Sequence, residues 1–181
     1  MPTSAGDQCC HAVIEANQGS RNKLKYNPEL RAFELHAVLP LGASVPYDFG
    51  FVPSTLGEDG DPLDILVLMD ETVPVGSVVR CRLLGVIEAT QQDRPRHKPI
   101  RNDRLIAVVV DTHRYRGCDR LKDVPNSVLD EIERFFVFYN KQKGVKFVAL
   151  RRRGMKAARR LIAEGQRRLR CRDAGEPLQS P

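Results

Sequence analysis

Apolar residues along this chain fall in short runs, each closed off by turn residues. "LDILVLM" (63–69) and "RLIAVVVD" (104–111) are almost continuously apolar, as in strands buried on both faces. "HAVIEA" (11–16) is a shorter strand of this kind, and "AFELHAVL" (32–39) alternates in part. In "SVPYDFGFVP" (44–53) a period of two puts Tyr47, Phe49 and Phe51 on one side, while Pro46 and Pro53 argue against a helix. "GSVVRCRLLGVIEAT" (76–90) predicts a long strand with Gly85 at a bend or bulge. "NQGSRN" is turn chemistry, after which the chain runs extended as far as a second turn at Asn27-Pro28.

Helical spacing enters only late. In "PNSVLDEIERFFVFYNKQK" (125–143), Val128, Ile132, Phe135, Phe136 and Tyr139 share one helix face, with Asn126 or Ser127 expected as N-cap. "GVKFVAL" (144–150) reads as a strand. "GMKAARRLIAEGQRRLR" (154–170) reads as an amphipathic helix with Met155, Ala158, Ile162 and Leu169 inward and arginines outward. Strands without helical crossovers, followed by two helices, predict a mainly β (α+β) fold, a largely antiparallel barrel flanked by C-terminal-half helices. The expected organisation is a flexible leader (1–10), one domain (11–172) with its basic helix at 154–170, and a tail (173–181).

With 181 residues and 41% hydrophobic content, the chain can bury one substantial core. It has no long apolar run of membrane-spanning length, so no membrane association is expected, and "MPTSAGDQCC" lacks the basic-then-apolar order of a secretory signal. Five cysteines without metal-site or disulfide spacing suggest a reducing, cytoplasmic setting. The net charge of +6 is concentrated at one end: ten Lys and Arg but a single acid, Glu164, lie between Arg151 and Arg172. A solvated helix face is the favoured reading of that segment, and nucleic-acid binding through residues 151–172 the less favoured one.

One stretch carries chemistry. "GEDGDPLDILVL" (57–68) sets Glu58, Asp59, Asp61 and Asp64 at the mouth of a buried strand. Carboxylates that converge in this way repel one another unless a hard cation such as Mg²⁺, which takes oxygen ligands, lies among them.

The stretch resembles the acidic D-x-D-P-x-D signature of the soluble inorganic pyrophosphatases. "VIEANQGSRNKLKY", "DFGFVPSTLGEDGDPLD", "VPVGSVVRCRLLGVIE", "RNDRLIAVVVD" and "FFVFYNKQKG" resemble further segments of that family in the same order, over about residues 12–165. The resemblance implies a five-stranded barrel of the oligonucleotide-binding (OB) type and Mg²⁺-dependent hydrolysis of pyrophosphate in a trimer or hexamer. It implies Asp59, Asp64 and Glu15 as metal ligands, with Asn102 at a further ligand position. Asp61 would be the general base, and Lys23, Tyr139 and Arg104 would contact phosphate.

Several positions depart from the family pattern. Lys25 replaces a glutamate, Gln91 and Asn102 replace aspartates, Ala37 and Asn140 replace phosphate-binding cations, and Phe49 and Val45 replace tyrosines. A site with fewer acids is expected to hold fewer Mg²⁺ ions than usual, or Mn²⁺, and to turn over weakly. The alternative is a degenerate paralogue that binds another small phosphorylated ligand or a polyanionic partner. Asp93 could stand in for Gln91, whereas Asp103 would point to the opposite face from Asn102. The Arg-rich loop 91–103 reads either as solvated or as a cationic flap over the site.

Overall fold

The apolar runs become strands. The computed structural model describes residues 8–95 and 97–175. In chain order it has β1 (Cys9–Ala16), β2 (Asn22–Asn27), β3 (Ala32–Val38), β4 (Asp48–Phe51), β5 (Asp64–Leu68), β6 (Val78–Gln92), β7 (Ile100–Arg101) and β8 (Arg104–Val109). A short 3₁₀ turn (Leu121–Asp123), helix α1 (Asn126–Gln142), β9 (Lys146–Gly154) and helix α2 (Met155–Asp173) follow.

Strands pair in the order β1-β4-β5-β8-β6, and β6 pairs back onto β1, which closes a five-stranded ring. The expected barrel is therefore present. One pair in the ring, β5 with β8, is parallel, and the other four are antiparallel. β9 extends the sheet from β6, while β2 and β3 form a separate hairpin. Gly85 lies at a register shift in the β6–β8 pairing, as its place in the long strand predicts.

β5 shows why its sequence is apolar throughout. Ile65 and Val67 pack with Ala158 and Ile162 of α2, whereas Leu66 and Leu68 pack with Leu129, Ile132 and Phe136 of α1. Both faces of the strand are buried, so an alternating pattern would leave polar groups without water.

Two local expectations shift. β1 begins at Cys9, so Cys9 and Cys10 belong to the barrel edge rather than to a leader, and Cys10 is buried. Residues 1–7 of that leader and 176–181 of the tail lie outside the described residues. Helix α1 starts at Asn126 with Pro125 at the N-cap and no side-chain cap bond, so neither Asn126 nor Ser127 caps it; Asn126 Oδ1 accepts a hydrogen bond from Arg152.

α2 is seated beside the acidic turn. The Gly165 carbonyl accepts from the Leu56 backbone N–H at 3.0 Å, and a Cβ at position 165 would come within 2.8 Å of Leu63 Cδ1. The helix and the segment leading into β5 touch backbone to side chain there, so a larger residue would press on Leu63 and Thr55.

Candidate functional site

The acids sit on a tight turn. The Gly57 N–H donates to the Asp61 carbonyl at 2.7 Å, and the Asp61 N–H donates to Asp59 Oδ1 at 3.2 Å. Gly60 between them has φ +87°, a left-handed conformation that a side chain would strain. This geometry brings Asp59 and Asp61 towards Asp64, the first residue of β5. Crowding by the surrounding chain, then the charges of Asp64 and Asp61, raise the Asp59 carboxyl above the usual range, although its residue keeps an exposed face.

Glu15 approaches from β1. It is buried, and burial pushes its carboxyl up to about 7; Lys23 opposes this rise and Asp64 adds to it. Acids that destabilise one another's charged forms fit a cation held by one or two carboxylates and water, the usual mode for Mg²⁺. Among the described residues, no three His, Cys, Asp or Glu side chains enclose a metal position unaided.

The chain's own cations occupy part of the site. Lys25 Nζ lies 2.6 Å from Asp61 Oδ1. Arg104, 4% exposed, places Nη1 2.8 Å from Asp64 Oδ2. Its guanidinium lies over Phe136, 4.4 Å from the ring centre, and its Nε is buried without a partner. Asn102 is fully engaged: its Nδ2 donates to Gln91 Oε1 at 2.6 Å, and its Oδ1 accepts from Arg104. The two amides that stand in place of aspartates thus bond to each other.

Asp103 and Asn102 lie between β7 and β8 rather than on a strand and line the same groove, but Asp103 is committed to other partners. It is buried, accepts from the Ala89 N–H at 2.8 Å and pairs with Arg101 at 2.7 Å. Asp93 pairs with His97 at 3.0 Å. The loop after β6 is tied to itself, Gln92 donating to the Pro95 and His97 carbonyls, and to the acidic turn, the Arg101 N–H donating to Glu58. Arg96 of this loop lies outside the described residues.

On the other side stand Lys23 and α1. Lys23 Nζ lies 4.7 Å from the Phe49 ring centre and 5.7 Å from that of Tyr139. The Tyr139 hydroxyl is buried without a hydrogen-bond partner. The space vacated by smaller side chains has closed up. Phe49 packs on Phe136 at 5.8 Å, and the gap left among Ala16, Lys23, Val45, Phe49 and Tyr139 is ≈10 Å³, the size of one water. Asn140 is buried and bonds to the Phe136 carbonyl of its own helix at 2.8 Å.

Lys143 and His36 were not singled out from the sequence. Lys143 Nζ lies 4.4 Å from the Tyr139 ring centre. Partial burial lowers the Lys143 ammonium, while Asp64 supports its charge and Lys25 opposes it. His36 is lowered by burial, then by Lys143, Lys23 and Lys25. The spacing of Lys143, one helical turn beyond Tyr139, was the available signal.

Acidic donors for a hard cation face cations and an unpartnered hydroxyl, all at the mouth of a closed barrel. This class of site suits a small, multiply charged anion held with a metal. Residues 12–170 match the family model "Inorganic pyrophosphatase". The chain is 41% identical over 129 residues to inorganic pyrophosphatase of Thermus thermophilus, covering 71% of this chain and 70% of that one. It is 40% identical over 139 residues to inorganic pyrophosphatase of Nostoc, covering 77% and 79%. The crystal structure of the Thermus thermophilus inorganic pyrophosphatase superposes with a TM-score of 0.82 at 34% identity, over 94% of this chain and 97% of that one. The chain belongs to the inorganic pyrophosphatase family.

Proposed function

We propose that this protein hydrolyses pyrophosphate to two phosphates with a divalent cation, at a rate held down by Lys25. The observation that supports this most is the electrostatic joining of Asp59, Asp61, Asp64 and Glu15 to Lys23, Lys25, Arg104 and Lys143 in one site. Asp59, Asp64 and Glu15 would hold Mg²⁺ or Mn²⁺. When bound, the cation withdraws charge from phosphate oxygens and acidifies a held water. Asn102 contributes little as a ligand, because its carbonyl already accepts from Arg104. With Lys25 on Asp61, fewer cations are held than the family's usual set.

Asp61 accepts the proton of the attacking water once Lys25 releases it. The water oxygen bonds to one phosphorus as the bridging oxygen leaves with the other phosphate. Lys23 and the Tyr139 hydroxyl donate to phosphate oxygens, and Arg104 steadies Asp64. Lys143 replaces the positive charge missing at Asn140, since it reaches the same Tyr139 ring from one turn further along α1.

A second reading, a catalytically idle binder of a phosphorylated ligand, is favoured by the Lys25–Asp61 pair. Phosphate release from pyrophosphate with Mg²⁺ and with Mn²⁺, native chain against Asp61→Asn, separates the two. Release that disappears in Asp61→Asn supports hydrolysis. Absence of release at micromolar protein, with pyrophosphate still bound, supports the idle binder.

We further infer a homo-oligomer, trimer or hexamer. Tyr26, Leu30, Leu35, Val38 and Leu41 expose apolar surface on and beside the β2–β3 hairpin, and light scattering on the purified chain tests this. Among the described residues no helix is long and apolar enough to cross a membrane. The five free cysteines suit a reducing compartment, and we place the protein in the cytoplasm.

A further inference from the structure

A groove of ≈1990 Å³ runs over the outside of the barrel. Its lining includes Asp59 and Asn102 of the acidic site, residues of β9 and α2, and Lys122 and Asn126 near the start of α1. Among the described lining residues, ten Lys and Arg face six Asp and Glu. α2 contributes one face, with Lys156, Arg160, Glu164, Arg167 and Arg168 at helical spacing. From Lys156 to Arg167 this face extends about 16 Å at the α-helical rise.

Several of the cations are already balanced. Arg152 pairs with Glu133 and Asp130, Arg160 with Glu164, and Arg168 with Glu58. Lys122, Lys156 and Arg167 are exposed and have no carboxylate partner among the described residues. Unbalanced positive charge beside the cationic face of α2, about 16 Å long, suits a long anion better than a compact one. No aromatic side chain is among the described residues that line it, so it offers bases nothing to stack on.

We propose that this groove binds a linear inorganic polyphosphate chain, whose phosphates lie along α2 and β9 with one end at the acidic turn. The placing of that end rests on the hydrolase reading above; the binding along the groove does not. Lys122, Lys156 and Arg167 contact the chain, while the partly buried pair of Arg152 with Glu133 stays in place.

The test is calorimetric titration of the full chain, in EDTA so that no turnover occurs, with long-chain sodium polyphosphate. Oligothymidylate and polyglutamate serve as comparison polyanions. Polyphosphate is expected to bind most tightly, with an affinity that falls steeply as salt rises. The combined variant Lys122→Glu, Lys156→Glu, Arg167→Glu should bind it roughly tenfold or more weakly while hydrolysing pyrophosphate at the native rate. The Gln version of the same triple should show a smaller loss in the same direction, which guards against a folding defect in the Glu version. Absence of polyphosphate binding at low salt overturns the proposal. So does unchanged binding by both folded triple variants, or equal or tighter binding of oligothymidylate or polyglutamate. Loss of pyrophosphate hydrolysis in Asp61→Asn with polyphosphate binding retained leaves the groove intact.

Discussion

Lys25 Nζ lies 2.6 Å from Asp61 Oδ1, so the carboxylate proposed as general base is already paired with a cation of its own chain. The two partners sit on different elements, β2 and the turn before β5, and both are about half exposed, at 44% and 52%. An exposed pair of this kind contributes about 0–1 kcal/mol to stability. Lys25→Glu should therefore leave the thermal midpoint almost unchanged. It should raise the number of Mn²⁺ ions bound, read by electron paramagnetic resonance. It should also raise phosphate release roughly tenfold, equivalent to about 1.4 kcal/mol of barrier. Unchanged Mn²⁺ stoichiometry would count against Lys25 as the occupant of a cation position.

Glu15 gives a pH dependence with an unusual sign for an acid. Its carboxyl is raised to about 7 from an ordinary 4.5, so the folded chain holds this proton more tightly than the unfolded one. The stabilisation is complete below the unfolded value and is lost as pH rises through 7. Metal-free protein should lose up to about 3 kcal/mol between pH 4.5 and 8 from this group. Glu15→Gln should flatten that fall and melt higher than the native chain at pH 8 in EDTA. Added Mg²⁺ should then stabilise the native chain more than the variant. Parallel pH profiles for the two chains would be the contrary result.

In the proposed reaction Lys143 holds an anion rather than moving a proton. Lys143→Gln should raise KM for pyrophosphate several-fold, with little effect on kcat, because its contact with phosphate is shared by ground and transition states. Asn140→Gln, at the position where the family carries a cation, should leave KM unaltered because Asn140 is turned into its own helix. Steady-state kinetics on the two variants test this contrast.

Gly165 decides how α2 sits on the segment that enters the acidic turn. Alanine is favoured over glycine within a helix by up to about 1 kcal/mol. The added Cβ would lie 2.8 Å from Leu63 Cδ1 and 3.2 Å from Thr55 Cβ. Overpacking of this kind costs about 1–3 kcal/mol. The clash wins, and Gly165→Ala should lower the midpoint of urea unfolding and weaken Mg²⁺ binding through Asp59. A variant as stable as the native chain would show that α2 can shift without disturbing the turn.

The sequence by itself determined most of the strands, both helices and the acidic turn, because these depend on local periodicity and on the few residues that permit a turn. The apolar run of β5 and the bulge at Gly85 were legible in this way, but β7 within the charged loop and the run of β9 through residues 151–154 were missed. Its departures from the family pattern named positions, but not what their side chains would do. Only the tertiary structure brought β2 across to Asp61, joined Gln91 to Asn102 and filled the space at Val45 and Phe49 with the aromatic side of α1. It also revealed Lys143 beside Tyr139 and set the row of α2 cations along a groove that reaches the acids. These relationships join residues that are distant in sequence or on separate elements, and their energies depend on distance and burial that no local pattern encodes.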